Sequence, residues 1–276
     1  REAISSRGLI IKSHWGNFNI MIPSEEDPNN IGKVDLIIFT PKLYSNYIAI
    51  PQMEPLIHSK TTIITIQNGV SSHKQLSDYF GIDKVIPAAT YIESEILEPG
   101  VIQQKGSTAI IEIGEINKGH SDRLNKIYSL LSSKYLKIII SEDIVLSLWN
   151  KMISIGSVGT IMTSFRSSFM EVMELQNGEG ILRGTMKEIY NVGKSIGVNL
   201  DENIIEEKIN ELNKEGDDIT ASLQTDFTNN KPLEIDFILG YVVDLAKEKG
   251  INCPYSTTLV ASLDRYKKGT INEKNP

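Results

Sequence analysis

The chain has 276 residues, 40% of them hydrophobic, enough to bury a sizeable core and more comfortable as two domains than as one. Its 28 basic and 35 acidic residues give a formal charge of −7, and no lysine and arginine cluster is interleaved with aromatics, which argues against nucleic acid as a partner. One cysteine, Cys253, and four scattered histidines supply neither a disulfide framework nor a metal-ligand set, so no metal is expected and a reducing cytoplasm fits.

No apolar run reads as long enough for a membrane span, and the opening REAISSRGLIIKSHW lacks the basic, apolar, small-residue order of a signal peptide. Neither membrane nor secretion is expected. LIIK and FNIMIP flank the turn-like HWGN and predict a hairpin. VDLIIFT (34–40) reads as a buried strand, followed by a helix over 43–57, the strand TTIITIQ (61–67), the helix SSHKQLSDYF (71–80) and the strand KVIPAATY (84–91). Strand and helix alternating in this way imply a parallel sheet. VIQQKG and TAIIEIG read as a further antiparallel pair, DRLNKIYSLLSSK as a covering helix and LKIIIS (136–141) as a last strand.

Beyond residue 141 the pattern turns helical, with helices expected over 146–163, 179–196, 201–212, 219–227, 233–249 and 256–266. An α/β half followed by an all-helical half makes a cleft between two domains the default place for a ligand. A doubly wound sheet that binds a dinucleotide normally opens with a strand, a Gly-rich turn and a helix, and no such unit precedes the first strands here. The glycines of NGEGILRG, Gly178, Gly180 and Gly184, have the wrong spacing for that turn, follow no strand, and read as a helix start.

Four places carry candidate chemistry. The helix 146–163 holds a single charge, Lys151, on a face shared with Ile155, Val158, Gly159 and Met162. Such a lysine either snorkels to solvent or stands where its charge is used. The strand 61–67 runs into Gln67, Asn68 and Gly69, at the carboxyl end where open α/β sheets hold ligands, although an Asn-Gly turn is an ordinary alternative. Thr40, Pro41 and Lys42 end a neighbouring strand at the same edge. Glu234 follows the break NNKP in what reads as the first turn of a helix; it either complements the helix dipole or joins Ser222 and Asp226, one turn apart on the preceding helix.

QNG after a strand, LWNK opening the helical half, and S-x-x-x-D followed eight residues later by E-I-D resemble the ketopantoate reductase (2-dehydropantoate 2-reductase) family. The likeness runs nearly end to end, including TYI followed by EPGVI and the proline of INCPYSTTL. It implies a Rossmann-like NADP-binding domain over 1–141, lacking about thirty residues of its start, and a helical domain of the 6-phosphogluconate dehydrogenase type over 142–276. It implies NADPH-dependent reduction of a 2-oxo acid in pantothenate biosynthesis, with Lys151 as general acid and Glu234 as active-site carboxylate, and leaves a homodimer open. Asn68 and Ser222 match polar positions at cofactor and substrate; Thr40, Lys42 and Ile92 match the cofactor edge, and Arg1 the contact to the 2′-phosphate of NADPH.

The chemistry asks for such groups, since a ketone that accepts hydride becomes an alkoxide that must be stabilised and protonated. Burial is expected to lower the pKa of Lys151 and Glu234 to raise it again. The chain departs from the family where asparagines stand four and eight residues after the lysine: here Ile155 and Gly159 occupy those places, which puts ketopantoate itself in question. Two other readings remain, a different β-hydroxy acid dehydrogenase of the same build and a non-catalytic nucleotide-sensing protein.

Overall fold

The computed structural model describes residues 1–269, so the last stretch of the expected helical domain lies outside the described residues. The chain divides into two compact units. The first comprises Arg1–Pro41, Ser45–Gln67 and Ser72–Ile144; the second takes Lys42–Tyr44, Asn68–Ser71 and the chain from Val145 onward.

The first unit runs α1 (Glu2–Arg7), β1 (Leu9–Ser13), β2 (Gly16–Ile20), β3 (Leu36–Phe39), α2 (Asn46–Gln52), β4 (Thr62–Thr65), α3 (Ser72–Phe80), β5 (Val85–Glu98), β6 (Val101–Ile113), α4 (Asp122–Leu131) and β7 (Lys137–Ile140). The seven strands form one sheet in the order β2-β1-β6-β5-β4-β3, with β7 also paired to β6. β3, β4 and β5 are parallel, as the alternation of strand and helix predicts. Both faces of this part are covered. Ile63 and Val85 pack with Phe39, Ile50, Met53 and Leu76, while their neighbours Ile64 and Ile86 point the other way, into Ile113, Leu124, Ile127 and Ile138.

Two details differ from the sequence reading. The helix expected over 43–57 is α2 flanked by single 3₁₀ turns at Leu43–Ser45 and Glu54–Leu56, the second of which holds Pro55, a residue without a backbone donor, in its first turn. VIQQKG and TAIIEIG are not a hairpin but one strand, β6, antiparallel to β5 throughout. Gly106 (φ +66°) makes a bulge where a turn was expected, opposite the register shift between Ile92 and Glu93, and the buried Gln104 amide donates to its carbonyl at 2.9 Å.

The second unit is helical: α5 (Ile144–Phe165), α6 (Phe169–Glu174), α7 (Gly178–Ser195), α8 (Ile204–Glu215), α9 (Ser222–Thr228), α10 (Leu239–Lys249) and α11 (Pro254–Leu263). α6 escaped the sequence reading although its capping box, Ser168 with Glu171, is a sequence-level signal. Gly178 is the first residue of α7, so the glycines of NGEGILRG belong to a helix start. α5 is, by length and composition, apolar enough to cross a membrane, contrary to the sequence reading, but most of it is buried inside this protein. Its hydroxyls Ser157, Thr160 and Thr163 are buried and each donates to the carbonyl four residues back, at 2.6, 2.8 and 2.6 Å. Gly156 and Gly193 let α5 and α7 approach closely: a Cβ on Gly193 would stand 2.9 Å from the Trp149 ring, and one on Gly156 would stand 3.2 Å from Ile189 Cδ1.

Candidate active site

Six of the polar residues singled out in the sequence lie in the second unit: Lys42, Asn68, Lys151, Ser222, Asp226 and Glu234. Lys42 follows β3 by three residues and reaches across 184 and 192 residues of sequence to two carboxylates. Its ammonium donates to Asp226 Oδ2 at 2.6 Å and to Glu234 Oε2 at 3.0 Å. The other oxygen of Glu234 accepts from the Leu43 amide at 2.7 Å. Burial draws the Lys42 pKa down, but the charge of Glu234 and the hydrogen bond to Asp226 outweigh it, and the net shift is upward.

This corrects two expectations. Glu234 is not in the first turn of a helix: residues 235–238 form a turn and α10 begins only at Leu239. Its carboxylate, 6% exposed, serves the Leu43 amide and the Lys42 ammonium instead of a helix dipole. Ile235, Ile238, Leu239, Val242 and Ala246, which follow Glu234, are all buried.

Lys151 lies on the part-buried stripe of α5 and donates to Asn68 Oδ1 at 2.7 Å. The snorkelling alternative is thereby set aside. Burial lowers the Lys151 pKa to about 8. Glu234, expected to oppose that shift, is engaged with Lys42. Asn68 is presented by the turn after β4, where Gly69 takes φ +89°, a conformation that excludes a side chain at little cost only for glycine.

Ser222, the first residue of α9, is exposed, and Asp226 is one turn further on, buried. Thr40 and Ile92 are exposed on the first unit. Arg1 caps α1 and pairs with Glu25 at 3.7 Å.

A further polar cluster, in the first unit, was missed. Gln67 donates to the Pro41 carbonyl and, at 2.8 Å, to Asn46 Oδ1; Asn46 in turn donates to Gln75 Oε1 at 2.7 Å. The hydroxyls of Thr65 and Ser72, 2.7 Å apart, converge on Gln67 Oε1. The network fixes the residues that immediately precede Lys42 and Asn68. Nothing in the sequence pairs amides that lie on different elements; only the QNG turn marked the place.

The chain matches two family models in succession, ketopantoate reductase PanE/ApbA over residues 1–118 and the ketopantoate reductase PanE/ApbA C-terminal model over residues 143–267. The chain belongs to the ketopantoate reductase family. It is 26% identical over 265 residues, 96% of this chain and 87% of the relative, to an uncharacterised oxidoreductase, YkpB, of Bacillus subtilis. The crystal structure of 2-dehydropantoate 2-reductase from Geobacter metallireducens has the same fold, with a TM-score of 0.89 at 21% identity, covering 96% of this chain and 88% of that one. So does a ternary structure of D-mandelate dehydrogenase with NADH and anilino(oxo)acetate, with a TM-score of 0.86 at 20% identity over 95% of this chain and 86% of that one.

Membership in the ketopantoate reductase family makes this a dinucleotide-dependent oxidoreductase fold. Thr40 of the first unit has an exposed hydroxyl after β3, and Asn68 of the second unit an amide after β4. Lys42 fits less well as a ligand to phosphate, since its ammonium is taken by Asp226 and Glu234. The glycines of α7 are not a pyrophosphate cradle, because they begin a helix of the second unit and follow no strand.

Proposed function

We propose that the protein is an NADPH-dependent reductase of 2-oxo acids, of the ketopantoate reductase type, acting in the cytoplasm. The observation that carries this reading is Lys151: a lysine whose pKa burial brings to about 8, held by Asn68 on the one charged position of a long interior helix. Family membership supports the reaction class, and the D-mandelate dehydrogenase of the same fold, solved with NADH and an oxo acid, is consistent with it.

When bound, the dinucleotide supplies the hydride. The task left to the protein is to hold the oxo group and deliver one proton. The Lys151 ammonium donates to the carbonyl oxygen, stabilises the negative charge that grows there and transfers its proton as the alkoxide forms. A pKa near the working pH suits this, because the group is largely protonated beforehand and gives up the proton readily. Asn68 orients the ammonium through its amide oxygen. Ser222, exposed at the start of α9, is assigned to the substrate carboxylate by the family resemblance. Glu234 acts through Lys42 and the Leu43 amide, which makes it a positioning carboxylate that fixes the loop after β3. NADPH is favoured over NADH by the family resemblance and by Arg1, which is exposed in its ion pair with Glu25.

The test is NADPH and NADH oxidation by the full-length protein with a panel of 2-oxo acids, ketopantoate among them, beside Lys151→Ala. Turnover that falls by about 10²–10⁴ in Lys151→Ala supports the assignment. Full turnover in that variant would remove Lys151 from the chemistry.

A further inference from the structure

The substrate's side chain is the part of the reaction that general acid chemistry leaves open, and α5 speaks to it. The helix is buried along most of its length; beyond Lys151 its part-open positions are Ser154 and Ile155, after which every residue to Thr163 is buried. Residues four apart stack on one face of a helix, so the open surface on one side of Lys151 is that of Ile155, beyond which Gly159 is buried. The start of α9 closes the far end: a Cβ on Gly159 would stand 3.6 Å from Ala221 Cβ and 3.8 Å from Leu223 Cβ. The open part of that surface is an isoleucine side chain bounded by an alanine methyl.

The hydroxyls of Ser157, Thr160 and Thr163 are buried and donate to carbonyls of their own helix. Ser154, three residues from Lys151 and partly open, flanks the lysine on the side opposite Ile155, about 100° round the helix from it. A substrate hydroxyl laid over the Ile155 side would lose its hydrogen bonds to water and gain none from this helix.

We infer that the protein takes 2-oxo acids with a branched apolar side chain in preference to hydroxylated ones, with Ile155 as the residue that sets the preference. The inference rests on the proposed reductase reading and on Lys151 as the group that meets the oxo oxygen. It also narrows that reading, since ketopantoate carries a hydroxyl on its side chain.

One pair of substrates isolates the question: ketopantoate and 3,3-dimethyl-2-oxobutanoate, which is the same molecule without its 4-hydroxyl. The expected result is a kcat/KM for the deoxy compound about tenfold or more above that for ketopantoate, within the range an apolar pocket achieves against an added hydroxyl. Ile155→Asn, and the smaller change Ile155→Thr, should each shift that ratio toward ketopantoate, by about tenfold for the amide. Ile155 is partly exposed, so neither change opens a core cavity.

A wild-type preference for ketopantoate would overturn the inference while leaving the reductase reading intact. A ratio that neither variant moves would remove Ile155 as its determinant. Absence of turnover with every 2-oxo acid, by a protein whose NADPH fluorescence titration still reports binding, would instead overturn the reductase reading itself.

Discussion

Lys151 and Asn68, separated by 83 residues of sequence, are joined by a 2.7 Å hydrogen bond from ammonium to amide oxygen. The bond ties the interior helix to the turn after β4, and both ends lie in the same compact unit. The acceptor is a neutral amide, and burial draws the Lys151 pKa down to about 8.

The first prediction concerns rate against pH. A general acid must be protonated to work, so kcat/KM should be level below about pH 8 and fall as the pH rises through the Lys151 pKa of about 8. A profile measured from pH 6 to 10 that stays flat above 8 would assign the proton to another group.

The same shift carries a stability consequence. Below pH 8 the folded protein holds a desolvated ammonium where the unfolded chain holds a hydrated one, and this penalty fades as the pH climbs from about 8 toward the ordinary lysine value of 10.5. Lys151→Met removes the penalty along with the bond to Asn68. The inactive variant should therefore be more stable than the parent at pH 7, by roughly 1 kcal/mol in urea unfolding. A clear loss of stability would mean that the contacts of Lys151 outweigh its desolvation.

Glu234 is predicted to act structurally as well as at the site. Glu234→Ala leaves the buried Leu43 amide without its acceptor and Lys42 with Asp226 alone, and should cost about 2 kcal/mol. Glu234→Gln keeps an acceptor for the amide and should cost less. Thermal unfolding of the two variants separates the effects; equal melting temperatures would mean the charge, and not the amide bond, is what counts.

A second buried carboxylate, Glu188 of α7, accepts from the backbone amides of Tyr255 and Ser256 at 2.9 and 2.7 Å and so caps α11 from outside. Glu188→Ala should destabilise the protein by about 1–3 kcal/mol, with amide exchange rising first in α11. Exchange that rises evenly across the helical unit would place the effect elsewhere.

His73, on α3, has its pKa lowered to about 4 by burial and by the neighbouring Lys74 charge. The unfolded chain takes up a proton near the ordinary value of 6.5 while the fold resists it, so stability should decline as the pH falls from 6.5 toward 4. His73→Gln should flatten that decline, which is worth up to about 3 kcal/mol at its end. Parallel urea midpoints of the two proteins between pH 7 and 4 would dismiss His73 as its source.

The alternating strands and helices of the first half and most helices of the second were legible, because buried β-branched runs and long periodic stretches are strong signals. β6 was not, since Gly106 reads locally as a turn and only pairing with β5 makes it a bulge. The candidate polar residues were legible as residue types at strand ends and on an apolar helix. Their pairing was not: Lys42 was read as a cofactor-edge lysine and proved to bind Asp226 and Glu234. Such pairs join positions nearly two hundred residues apart, and local pattern carries no information on that scale. The Gln67 network was invisible for the same reason.

The division of labour along α5 has an evolutionary corollary. The residues that hold this helix in the protein, among them Trp149, Met152, Ile153 and Ile161, are distinct from the partly open Ile155. Isoleucine and asparagine codons can be exchanged by a single base change. On the proposed role of Ile155, a single point mutation exchanges one diet of oxo acid for another and leaves the folding of the helical unit under separate selection.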